Sequence, residues 1–231
     1  MNPLEVLGET TAPDGTDMKL ARRGNEYIIL AGGKTLMSSR MHGSEEALAA
    51  LACGDARTIE EPRVLVGGLG MGFTLRATLD LLPAGATVVV AELVPTVVEW
   101  NRGPLGQLAD HPIRDSRVRI EIGDVAGLLA NSSGNHFDVI LLDVDNGPTA
   151  FTSSDNSRLY GDRGLAAARA ALKDGGILAV WSAWDDRRFE QRLKYGGFRV
   201  QVERVRGRLK KGGPRHTIFL GHKPGPSSAR A

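Results

Sequence analysis

Between residues 62 and 222 the apolar positions follow two habits. Short apolar runs at 64–66, 87–91, 137–142 and 177–181, with 118–122, read as strands, and the unbroken ones suit strands covered on both faces. Between them, three- and four-residue spacing predicts helices over 73–82, 96–102, 124–130, 164–172 and 185–195. Pro95 opens one helix, Gly175-Gly176 stops another ahead of the strand at 177–181, and Gly196-Gly197 caps the last. Residues 198–205 and 216–221 then form a closing antiparallel pair. Strands alternating with helices predict an α/β, doubly wound, mostly parallel sheet, here ending in a hairpin where another crossover would be usual.

Residues 1–43 lack helical periodicity and carry short strand-like runs at 18–20, 27–30 and 35–39, which predict a small N-terminal β-hairpin unit. A short helix over 44–52 leads into the main domain, taken as 44–222. The Pro- and Ser-containing stretch 223–231 reads as a disordered tail.

Composition narrows the class. A chain of 231 residues with 42% hydrophobic content can bury one good core and a small appendage. A net charge of +2 gives no reason to expect a nucleic-acid partner. Arg199, Arg204, Arg206, Arg208, Lys210, Lys211 and Arg215 do cluster around the last hairpin, but without interleaved aromatics they read as a solvated loop. Cys53 is the one cysteine, which excludes an intrachain disulfide and a cysteine-rich zinc site. His42 and His111 have no ligand-spaced partners, so no metal is expected. No apolar run approaches the roughly 20 residues of a membrane span, and the first residues have no leader pattern; a cytoplasmic protein is expected.

The chemistry-bearing residues fall at the ends of the predicted parallel strands, where open α/β sheets bind ligands. Gly67-Gly68-Leu69-Gly70-Met71-Gly72 follows the first strand, and Gly68, Leu69, Gly70 and Gly72 are candidates for close backbone approach to a cofactor. Glu92, with Leu93, ends the second strand about twenty residues past the glycines, the spacing at which a carboxylate takes a ribose diol. Asp124, with Val125, follows the third and suits an adenine amino group, or a helix N-cap. Asp143 follows the fourth and is the candidate catalytic group. Asp145 and Asn146 beyond it, and Trp181 after the fifth, are candidate acceptor contacts, although Asp145 also suits a plain turn.

Glycine turn, Glu92 and Gly123-Asp124 together resemble the class I AdoMet-dependent methyltransferase superfamily. That resemblance implies a seven-stranded sheet ordered 3-2-1-4-5-7-6. Over residues 18–222 the chain more closely resembles one branch, the spermidine synthases (aminopropyltransferases). The similarity lies in the small β unit, Thr74-Leu75-Arg76, Glu92-Leu93-Val94-Pro95, Gly123-Asp124 and Asp143. It implies an S-adenosylmethionine or decarboxylated S-adenosylmethionine donor, a small-molecule acceptor, and compatibility with a homodimer.

The chain departs from the family in three stretches. Its turn has no carboxylate where the family reads Gly-Gly-Gly-Asp-Gly-Gly. Ser44-Glu45-Glu46 stands for the family's Tyr-His-Glu, and Asp143-Val144-Asp145-Asn146-Gly147-Pro148 for its Asp-Ser/Thr-Ser/Thr-Asp-Pro. With no acid in the turn, the sequence leans toward methyl transfer from AdoMet to a small amine or hydroxyl. The alternatives are aminopropyl transfer to a polyamine, a non-catalytic cofactor-binding module, and an RNA methyltransferase working through the basic hairpin.

Overall fold

The computed structural model describes residues 3–132, 134, 136–144, 147–148, 156–208 and 213–225. Strands β1 (Glu5–Thr11), β2 (Asp17–Arg23), β3 (Glu26–Ala31) and β4 (Lys34–Ser38) form an antiparallel sheet in sequence order. The hairpin unit is thus one strand larger than its sequence suggests. β1 (EVLGETT) has few apolar residues and stays largely exposed, so its pattern carries little strand signal.

Helix α1 (Gly43–Ala52) leads to β5 (Arg63–Gly67), α2 (Phe73–Leu81), β6 (Thr87–Glu92), α3 (Pro95–Arg102), β7 (Val118–Ile122), α4 (Val125–Asn131) and β8 (Phe137–Leu142). After α5 (Asn156–Tyr160) and α6 (Asp162–Ala171) come β9 (Leu172–Ser182), α7 (Arg187–Tyr195), β10 (Arg199–Arg206) and β11 (Arg215–His222). The seven-stranded sheet runs β7-β6-β5-β8-β9-β11-β10, which is the 3-2-1-4-5-7-6 order. Pairings are parallel from β7 to β9, and β11 is antiparallel to both β9 and β10.

Period-two alternation sends each central strand into two cores. Val64, Val66, Val88, Val90, Val139 and Leu141 join α1, α2 and the N-terminal sheet on one face. Leu65, Val89, Ile140, Leu142, Val180 and Phe219 join α4, α6 and α7 on the other. Both faces are covered, which is why these strands read as unbroken apolar runs.

Two expectations fail locally. Gly175-Gly176 does not separate helix from strand: α6 ends at Ala171, and the glycines lie inside β9. Leu172 pairs with Phe137 before them and the ladder resumes at Val139 and Ile177, so the pair forms an irregularity in a strand. Lys223, assigned to the tail, is buried; its Nζ donates to Leu172 O at 2.7 Å and lies 3.3 Å from Asp174. Residues 226–231 of the expected tail lie outside the described residues.

Candidate functional site

The glycine turn folds as it does because protein atoms crowd it. Gly68, Gly70 and Gly72 all have positive φ, at 88°, 51° and 83°. A Cβ on Gly68 would lie 2.3 Å from Asp143 O, one on Gly70 3.0 Å from Met37 Sδ, and one on Gly72 2.9 Å from Pro112 Cγ. Close packing therefore accounts for the three glycines as seen here. Met37 also brings β4, from the N-terminal sheet, over the turn, a wall that the sequence pattern did not disclose.

Glu92 lies against the same turn. It is 7% exposed, and its Oε2 accepts from Leu69 N–H while Oε1 accepts from Val94 N–H, each at 2.9 Å. Burial raises its pKa, opposed by the backbone amides of Val94, Leu69, Gly70 and Leu93. In a phosphate-binding turn such amides face a ligand anion. Here they face the protein's own carboxylate, and the side chain of Leu69 is in the core.

Beyond Glu92 the edge opens. Leu93 is 44% exposed and Ile122, beside Glu92 in the β6–β7 register, is 54% exposed. Gly123 has no neighbour within 4 Å of a Cβ position. Exposed Asp124 caps α4 by accepting from Ala126 N–H at 2.9 Å, and Val125 is buried against Gly67. Two exposed apolar side chains beside a free carboxylate oxygen form a shelf that suits a heteroaromatic base.

Asp143 emerges from β8 next to the turn. Its N–H donates to Gly67 O at 2.9 Å, and its Oδ2 accepts from Thr74 Oγ1 at 2.6 Å, at the start of α2. A second acid faces it. Glu45 of α1 is 6% exposed, and its Oε2 accepts from Ser44 Oγ at 2.6 Å. Burial pushes Glu45 up to about 8, with the nearby Asp143 charge adding to the shift. Burial likewise raises Asp143 to about 6, while the Thr74 hydroxyl pulls it down.

Ser44 Oγ also lies 2.8 Å from Nδ1 of His216 on β11. The His216 ring meets Trp181 edge to face at 4.7 Å. Trp181 Nε1 is buried without a hydrogen-bond partner.

The structure thus gathers Gly68, Leu69, Gly70, Gly72, Glu92, Leu93, Asp124, Asp143 and Trp181 along the carboxyl edge of the sheet. Asp145 and Asn146 lie outside the described residues. Glu46, at the position of the acid in the family's Tyr-His-Glu, bonds His42 Nδ1 at 2.7 Å. Glu45, Thr74 and His216 were missed. Glu45 had a signal: with Leu48, Ala49 and Ala52 it completes the buried stripe of α1.

No protein-family model matches the chain. It is 37% identical over 82 residues to polyamine aminopropyltransferase 2 of Caldanaerobacter subterraneus subsp. tengcongensis; that stretch is 36% of this chain and 26% of that protein. Its structure is similar to the spermidine synthase from Thermotoga maritima, with TM-score 0.74 and 19% identity over 95% of this chain and 73% of that one. It is also similar to a spermidine synthase in complex with the transition-state analogue AdoDATO, with TM-score 0.73 and 19% identity over 95% and 72%. The chain has the spermidine synthase fold. A probable spermidine synthase from Corynebacterium glutamicum is similar as well, with TM-score 0.65 and 17% identity over 93% and 79%. These relatives give no support to the lean toward methyl transfer: their names point to aminopropyl transfer. Among the described residues, no helix is long and apolar enough to cross a membrane.

Proposed function

We propose that the chain is an aminopropyltransferase that moves the aminopropyl group of decarboxylated AdoMet to a small amine. The observation that carries this reading is buried Glu45 near half-buried Asp143, beside a glycine turn in which the Leu69 amide is taken by Glu92 and those of Gly68 and Gly72 by the carbonyls of Ala91 and Leu69. A filled turn disfavours a pyrophosphate and suits an uncharged nucleoside. An acidic pocket suits an amine and repels the free carboxylate of ordinary AdoMet. The acid absent from the turn is thus supplied by α1.

Leu93, Ile122 and Asp124 would hold the adenine. The remaining lone pairs of Glu92 would take the ribose hydroxyls, since a carboxylate has about four acceptor sites. The donor, when bound, supplies a carbon activated by its sulfonium. The protein then has two tasks, alignment in a dry site and removal of a proton from the acceptor nitrogen. Asp143 performs the second: Thr74 orients it, and its raised pKa brings it within reach of neutral pH. Trp181 would wall the acceptor pocket.

Calorimetry distinguishes the donors. Decarboxylated AdoMet should bind at least tenfold more tightly than AdoMet. Equal or reversed preference would return the assignment to methyl transfer, and no binding of either would leave a non-catalytic module.

A further inference from the structure

The glycine turn is held from behind by a side chain that the proposed transfer does not use. Asn101, in the last turn of α3, is fully buried. Its Nδ2 donates to Gly70 O and to Val97 O, each at 2.9 Å. Both acceptors are carbonyl oxygens, so only the NH₂ can face them and the amide has one workable orientation. The Oδ1 on its other side is buried without a hydrogen-bond partner and lies 3.1 Å from the position of a Cβ on Gly72. One amide thus meets the turn at two of its glycines.

A polar side chain that served only its own helix would bond the carbonyl four residues back, as Thr78 Oγ1 does to Thr74 O at 2.8 Å in α2. Asn101 makes that bond to Val97 and a second one that leaves the helix, to a residue 31 positions away. Gly70 has a φ of 51°, and the freedom that permits this shape also lets the following peptide group rotate. Two contacts oppose that rotation: the Gly70 N–H faces Glu92, and Asn101 holds the Gly70 carbonyl. The loop after α3 adds a floor beneath the turn. Ala109 Cβ and Pro112 Cγ lie 3.7 Å and 2.9 Å from the Cβ position of Gly72, and between them Asp110 and His111 hold positive φ, at 52° and 48°. Successive non-glycine residues in that region are costly, and such strain persists where the surrounding structure over-determines it.

We propose that Asn101 is a positioning residue for the donor: it fixes the peptide after Gly70 and so keeps the turn and Glu92 in the arrangement that receives the nucleoside. The inference rests on reading the turn and Glu92 as the donor's seat. Being fully buried, Asn101 touches no ligand itself. It gives α3 a part in donor affinity and none in the transfer step, which stays with Asp143.

The test separates the two bonds. Asn101→Ser keeps a hydroxyl for Val97 O but is too short to reach Gly70 O, whereas Asn101→Leu keeps the volume and neither bond. With decarboxylated AdoMet, calorimetry should show affinity about tenfold weaker in Asn101→Ser, the upper worth of one such hydrogen bond. At saturating donor, kcat and the KM for 1,4-diaminobutane should stay within twofold of wild type. Asn101→Leu should be the less stable variant and bind the donor no better than Asn101→Ser. A purely structural asparagine would lower stability and leave the donor affinity of the folded molecules within twofold of wild type; that result overturns the proposal, and so does a loss of kcat with affinity kept. A second readout needs no ligand. Amide hydrogen exchange at Leu69, whose N–H donates to Glu92 at 2.9 Å, should be roughly tenfold faster in Asn101→Ser, while Val139 in the central sheet exchanges as in wild type. Equal exchange at Leu69 in the two proteins overturns the proposal. A wild type that binds no nucleoside overturns the underlying reading of the site, and exchange at Leu69 still decides whether Asn101 holds the turn.

Discussion

Strand β8 carries an aspartate at each end, and the two have opposite environments. At the amino edge Asp138 is 9% exposed, and its Oδ2 accepts from Arg63 N–H and from the Lys173 ammonium, both at 2.8 Å. At the carboxyl edge Asp143 has a threonine hydroxyl for a partner and another acid for a neighbour. A carboxylate given a cation and an amide is satisfied by the fold. Asp143, half-buried near the buried Glu45, has neither among the described residues. On the proposed reading, the contrast separates a structural charge from a functional one along a single element.

The comparison can be broken at several points. The largest effect is expected from Asp143→Asn: transfer should fall by about 10²–10⁴, the usual worth of a general base, with donor affinity little changed. An equal loss of binding would assign Asp143 to the fold instead. Gly68→Ala should come next. It puts a Cβ 2.3 Å from Asp143 O at a φ of 88°, so chemical denaturation should show a loss of about 2–4 kcal/mol together with weakened activity. Glu92→Gln places an amide NH₂ against backbone N–H groups, and donor affinity measured by calorimetry should drop about tenfold or more.

Asp138→Asn should behave in the reverse way to Asp143→Asn. It should cost about 1–2 kcal/mol of stability, discounted because the Lys173 side chain is 40% exposed, and should spare catalysis per folded molecule. The smallest effect concerns pH. An acid whose pKa folding raises keeps its proton in the folded state where the unfolded chain has lost it. Its support for folding is therefore complete at low pH and is lost as pH climbs from the ordinary glutamate range through about 8 for Glu45. Glu45→Gln removes that loss, so its melting temperature relative to wild type should be higher at pH 8.5 than at pH 5.

Much of the architecture was legible because the central strands announce themselves. Val64, Val66, Val139 and Leu141 face one core while Leu65, Ile140 and Leu142 face the other, so the sequence shows unbroken apolar runs at the right spacing. The parts that escaped did so for local reasons. β1 is mostly polar and exposed, and Gly175-Gly176 looks like a helix stop although it sits within β9. In the site, Glu92 and Asp143 were legible as residues at the ends of apolar strands. Glu45 was obscured by its neighbour: Glu46 stands where the family's Tyr-His-Glu has its acid, and only the buried stripe that Glu45 shares with Leu48 and Ala52 distinguishes the two. His216 lies 172 positions from Ser44 in the chain, and no spacing rule connects them.

The most direct test of the account is a side-by-side assay of wild type and Asp143→Asn with decarboxylated AdoMet and 1,4-diaminobutane, reading bound donor and released thioether nucleoside in the same sample. Both proteins should bind the donor with similar affinity, and only the wild type should release nucleoside. Absence of donor binding in the wild type, or release by Asp143→Asn at the wild-type rate, would contradict it.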